Sequence, residues 1–130
     1  MSRMLFVLRY RNGRPEPLDM DAVREVLAPH LGAADEHPRD GALIRTADGY
    51  EVEVDVNDVC VAVSRFPPGR FFGVLAELVE RLGASVLSTD RPVIIREEGD
   101  RAHLSDDLRE GAVVMATTAP ALEGHFSGGS

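Results

Sequence analysis

The chain has 130 residues, 44% of them apolar and 28% charged, enough for one domain around a single core and unlike the composition of a disordered segment. Its formal charge of −8 speaks against a general affinity for nucleic acid, which comes from neutralising phosphates with a basic surface. The longest apolar runs, such as Met4 to Leu8, fall far short of the roughly 20 residues that cross a bilayer.

Arg3 to Tyr10 reads as a first strand, and its run Met4-Leu5-Phe6-Val7-Leu8 fits mid-sheet burial on both faces. Asn12-Gly13 turns the chain, while Pro15 and Pro17 argue against a returning strand, so residues 11–18 are expected to be loop. Asp19 should cap a helix whose Met20, Val23, Val26, Leu27 and Leu31 share one stripe. Pro29 should end that helix slightly early, and Gly32 offers a left-handed stop. Residues 33–40 read as loop and Gly41 to Thr46 as a short strand, turned by Asp48-Gly49.

From Tyr50 to Phe66 apolar and polar residues alternate, and the phase changes only at Val56-Asn57-Asp58-Val59. That is the pattern of a β-hairpin. A two-residue loop at Asn57-Asp58 would pair Val56 with Val59, Val54 with Val61 and Val52 with Val63, so that six valines line one face. Glu51, Glu53 and Asp55 then point to the opposite face, across from Ser64, Ala62 and Cys60. After Pro67-Pro68-Gly69 a second helix presents Phe71, Phe72, Leu75, Leu78, Val79 and Leu82 to the core, pairs Glu77 with Arg81 outside, and stops at Gly83. Ala84 to Ser88 and Val93 to Arg96 read as strands joined through Thr89-Asp90-Arg91-Pro92. Leu104 to Glu110 reads as one or two helical turns begun near Ser105, and Ala112 to Met115 as a last short strand. Residues 1–116 are therefore expected to form one α+β domain, and residues 117–130, where the apolar pattern fades, a flexible tail.

The order strand, helix, hairpin, helix, strand over residues 3–88 resembles the ferredoxin-like βαββαβ sandwich, an antiparallel sheet with two helices on one face, here with added pieces at 41–46 and 92–115. That architecture hosts enzymes, sensors and interaction modules alike, so it implies no activity by itself.

The chemistry-bearing residues are sparse. Cys60 is the only cysteine, which excludes an intramolecular disulfide and a cysteine-based zinc cluster within one chain and makes a reducing cytoplasm the expected compartment. Arg9 follows only five apolar residues, so no secretory leader is expected. Cys60 would also face Asp55 in the expected register, which disfavours a thiolate. His30, His37, His103 and His125 show no i,i+4 metal spacing; His103, with Asp100, Asp106 and Asp107, has the richest carboxylate setting, and neither metal nor cofactor is expected. No serine lies in a Gly-x-Ser-x-Gly context, and Pro67-Pro68-Gly69-Arg70 is a weak cue for an anion at a helix N-terminus. All 14 basic residues are arginine, which fits a GC-rich bacterial genome and makes every cation a fork suited to carboxylate or phosphate.

Two functional expectations follow. One is a non-enzymatic acidic interaction module, of the immunity or antitoxin kind or an adaptor, whose Glu51, Glu53 and Asp55 meet a basic protein partner. The other starts from Arg3, Arg9, Arg11 and Arg14, which give residues 1–15 four positive charges and no acid, against ten arginines and 22 acids in the rest of the chain. It is a homodimeric ferredoxin-like small-anion sensor or minor enzyme using Arg9, Arg11 and Arg45. Neither nucleic acid nor membrane is an expected partner.

Overall fold

The computed structural model describes residues 4–30, 42–46, 48–64, 66, 69–88 and 92–127. Expectations for Arg3, Leu31, Gly32, the loop 33–40 with His37, Gly41, Pro67-Pro68, Thr89 to Arg91 and the last three residues lie outside them. The strands are β1 Met4–Arg11, β2 Arg14–Glu16, β3 Ala42–Arg45, β4 Glu51–Val56, β5 Cys60–Ser64, β6 Ser85–Ser88, β7 Ile94–Ile95 and β8 Val113–Val114. The α-helices are α1 Met20–Leu27, α2 Phe71–Leu82, α3 Asp106–Arg109 and α4 Ala119–Ser127, with 3₁₀ segments at Ala28–His30 and Glu98–His103.

The fold is mixed α+β, built on one sheet in the order β3-β4-β5-β1-β6-β7-β8, with β2 added to β1. Every pairing is antiparallel except β7 with β8, and the sheet is larger than the four strands of a simple βαββαβ unit. β2 corrects the expected loop at 11–18. Asn12 (φ 52°) and Gly13 (φ 83°) form the tight turn, and Arg14–Glu16 then returns beside Arg9 to Arg11. Pro15 is tolerated because this short ribbon is an edge, where no further strand needs its missing N–H.

The hairpin also differs from expectation. Val54 pairs with Val63 and Val56 with Val61, a slide of two residues from the expected Val54–Val61 pairing. The cause is local: Asn57 N–H donates to the Cys60 carbonyl (2.9 Å), and the Asn57 side-chain oxygen accepts from Val59 N–H (2.9 Å), so the turn centres on Asp58-Val59. A slide of two leaves every side chain on its expected face. Val52, Val54, Val56, Val61 and Val63 are buried, and Val59 moves into the turn, half-buried.

One face of the sheet packs on α1, α2 and α4. Leu5, Val7 and Val86 join the valines against Val23, Val26 and Leu27 of α1, and Phe72, Leu75 and Leu78 of α2. Asp19 caps α1 as expected, its carboxylate accepting from Asp21 and Ala22 N–H (3.1 and 3.2 Å). Gly83 ends α2 in the left-handed conformation. Arg81, expected to pair with Glu77, instead hydrogen-bonds Glu25 of α1 and ties the two helices together. The expected flexible tail is corrected by α4. Thr118 caps that helix, and its Leu122 and Phe126 are buried, with Phe126 stacking on Phe72 and meeting Phe66 edge-on. On the other face a smaller core of Val93, Ile95, Leu104 and Ala112, joined by Tyr10, Leu87 and Leu108, covers the β6–β8 end and reaches the end of β1 at Tyr10.

Candidate functional site: an open sheet face with an acidic rim

Alternation along β1, β4 and β5 sends one set of side chains into the core and the other to the opposite face. On that opposite face, register places Met4, Ser64 and Glu53 in one row, Phe6, Ala62 and Asp55 in the next, and Leu8 with Cys60 in a third. Met4, Phe6, Leu8, Cys60 and Ala62 are half-buried, and neither packed core includes them. Three strands about 4.8 Å apart and five residues long make a patch of roughly 14 by 17 Å, with carboxylates along its β4 side. A β-run buried on both faces, as Met4 to Leu8 suggested, is therefore buried on one face and only partly covered on the other.

The three acids are on one face, as the alternation requires, but they are not equivalent. Glu51 lies opposite Arg45 of β3 and forms an exposed ion pair with it (3.3 Å). Such a pair contributes little stability, and it lowers the net charge at that end of the strip. Glu53 is exposed and Asp55 half-buried. Arg45 thus belongs to the acidic rim, separated from β1 by β4 and β5, and does not join Arg9 and Arg11.

Arg9 and Arg11 lie on the part of β1 that extends past β5 and pairs with β2. Both approach Glu16, at 3.7 and 3.6 Å. Beside them a cleft of about 190 Å³ is also lined by Arg96 and His103, residues remote in sequence that carried no linear signal toward Arg9.

The α2 N-terminus is satisfied from within the chain. Asp48 accepts from Arg70 N–H (3.1 Å) and Glu123 of α4 accepts from Gly69 N–H (2.7 Å), so carboxylates already stand where a bound anion was considered. The Thr46 hydroxyl and then the Arg70 N–H hold the Asp48 carboxyl below its ordinary range. Gly69 has φ 85°, the left-handed backbone that favours glycine, and a Cβ there would stand 2.5 Å from an Asp48 carboxylate oxygen and push aside the side chain that holds the helix start.

Cys60 pairs with Leu8 across the strands, while Asp55 faces Ala62; burial, not an aspartate neighbour, pushes the thiol pKa up. A thiol so placed is a poor nucleophile at neutral pH. Among the described residues no three His, Cys, Asp or Glu side chains come together as a metal site, and no helix is long and apolar enough to cross a membrane. Compared with models of known protein families, with curated proteins and with solved structures, the chain matches none of them.

Proposed function

We propose that the chain is an interaction module whose open sheet face docks a protein partner with an apolar centre and a basic rim. The observation that carries this reading is the half-buried apolar patch of Met4, Phe6, Leu8, Cys60 and Ala62 beside Glu53 and Asp55, which belongs to neither packed core and borders the smaller one where Phe6 pairs with Leu87. Apolar side chains at the middle of an interface supply affinity, and charges at its rim steer the approach. The patch matches the apolar centre of an interface in size, since a complete one buries about 800 Å² on each side. The turn and strand carrying Asp58, Glu51 and Glu53 would extend the contact. Two copies meeting through the same faces would bring their acidic rims together, which favours a different partner over self-association.

Strand order supports a finer view of the frame. The inner order β4-β5-β1-β6, with α1 and α2 as the crossovers, is the one a ferredoxin-like βαββαβ sandwich has, and we read β3, β7 and β8 as additions to it. In such a sandwich one sheet face is left for binding.

The test is affinity capture from the cytosol of the source cells. Tagged wild type and a tagged Phe6→Glu, Glu53→Arg, Asp55→Arg variant, each checked for folding by circular dichroism, are compared at low and high salt. Expected is a basic protein that wild type retains, that salt releases, and that the variant fails to hold. Identical captures by both chains would remove the sheet face from consideration.

A further inference from the structure

The cleft beside the β1–β2 ribbon is a second feature; it adjoins the docking face, where Leu8 pairs with Ser85 of the cleft wall, but its argument rests on other residues. The type of turn at Asn12-Gly13 holds the ribbon against the 3₁₀ segment at 98–103: Gly13 N–H donates to the His103 carbonyl (2.8 Å), and Asn12 N–H reaches His103 Nδ1 (3.4 Å). With Nδ1 accepting from Asn12, the other ring nitrogen, Nε2, is left as the donor. Burial, with the Asp107 charge adding to it, pushes the Tyr10 phenol up, so it remains a neutral donor. Ser85, buried, supplies a hydroxyl to the same wall.

Three arginines complete the lining. Arg9 and Arg11 share Glu16 at 3.7 and 3.6 Å, and Arg96 stands 3.4 Å from Glu80. These separations are longer than the roughly 2.7–2.9 Å of a tight charge-assisted bond, so the forks are attracted by their carboxylates without being saturated by them. Gly83 makes room for Arg96: a Cβ there would lie 3.0 Å from Arg96 Nη1. Among the residues that line the cleft, Arg9, Arg11 and Arg96 outnumber Glu16 and Asp100 by one charge, with Glu80 beside Arg96 just outside the lining.

We infer that this cleft binds a compact oxyanion, a carboxylate or phosphate, between the guanidiniums of Arg9, Arg11 and Arg96 and the His103 ring. The volume of about 190 Å³ suits a ligand of few heavy atoms and is below the usual range for drug-sized molecules. Glu16, bridging two arginines, is a tethered counter-ion that an incoming oxyanion displaces. Removing its charge therefore strengthens binding, by about fivefold for one unit charge at a partly solvated site.

The experiment is a titration of the full chain with inorganic phosphate and, separately, with malonate, each against sodium chloride at matched ionic strength, followed by melting temperature and by amide ¹⁵N–¹H shifts. Expected are a saturable rise in melting temperature above the chloride control and shifts concentrated at Gly13, Ser85 and His103. Arg11→Gln with Arg96→Gln should abolish both, and Glu16→Gln should move the midpoint to lower ligand concentration. A response to phosphate alone or to malonate alone identifies the ligand class and supports the site. No response beyond chloride, or an undiminished response in the folded double variant, overturns it. The amide shifts do not depend on a stability change, so a variant that is merely less stable is still informative. Because no partner protein is involved, failure here leaves the docking face standing, and the reverse also holds.

Discussion

Adjacent residues on β1 offer a direct comparison of the two sheet faces. Leu5 is fully buried against α1 and α2, whereas Phe6 points to the opposite face and is half-buried. Leu5→Ala removes a packed side chain and leaves a cavity, so a loss of about 2–5 kcal/mol is expected. Phe6→Ala forfeits only part of the roughly 1.5–3 kcal/mol that full burial of such a side chain supplies, and leaves a less enclosed void, because that face is only partly covered. The loss should be about 1 kcal/mol despite the larger group removed. Urea denaturation followed by circular dichroism gives both values on the same slope. Equal losses for the two variants, or a greater one for Phe6→Ala, would mean that the face is covered, and the reasoning about a docking surface would fail with it.

Three further outcomes follow from the same geometry. Phe126→Ala should destabilise by about 3–5 kcal/mol, because Phe126 is buried among Phe66 and Phe72; a silent change, read by the same denaturation, would return α4 to the status of a tail. Val54→Asp should unfold a large share of the protein by burying an unpaired charge, while Glu53→Ala leaves the melting temperature nearly unchanged; equal effects would reverse the assigned faces. Asp48 is held below its ordinary pKa in the fold, so its contribution is complete above the unfolded value of about 4 and fades as pH falls through the folded one. Wild type should thus lose melting temperature more steeply than Asp48→Asn below about pH 4, and parallel profiles would show that Asp48 does not hold the α2 N-terminus.

Much of the frame was legible because local signals agreed with the global fold. Strict alternation from Tyr50 to Phe66 settled which face each residue takes, and that survived the slide in register, since a shift of two preserves parity. The register itself was not legible. It depends on Asn57 using its side chain to accept from Val59, one of several turns that the same four residues can make. β2 was hidden by Pro15, whose penalty vanishes on an edge. α4 was hidden by its sparse apolar content: only Leu122 and Phe126 reach deep into the core, and Gly124 lies between them. Thr118 before Ala119-Pro120 was the available clue, a capping residue followed by proline in a first helical turn. The acidic row was visible from its period of two, but the pairing of Glu51 with Arg45 needed the β3–β4 register. The arginine cleft could be only half seen. Arg9 and Arg11 stood out as a basic cluster, whereas Arg96 and His103 arrive through the order of β1, β6 and β7, which no short-range pattern encodes.

The most direct test of the docking face is to record amide spectra of the ¹⁵N-labelled chain in unlabelled lysate of the source cells, at low and at high salt. Binding through this face predicts broadening concentrated at residues 4–8, 53–55 and 60–64, weakened as salt screens the acidic rim. Broadening confined to α1, α2 and α4, or a spectrum the same as in buffer, would contradict it.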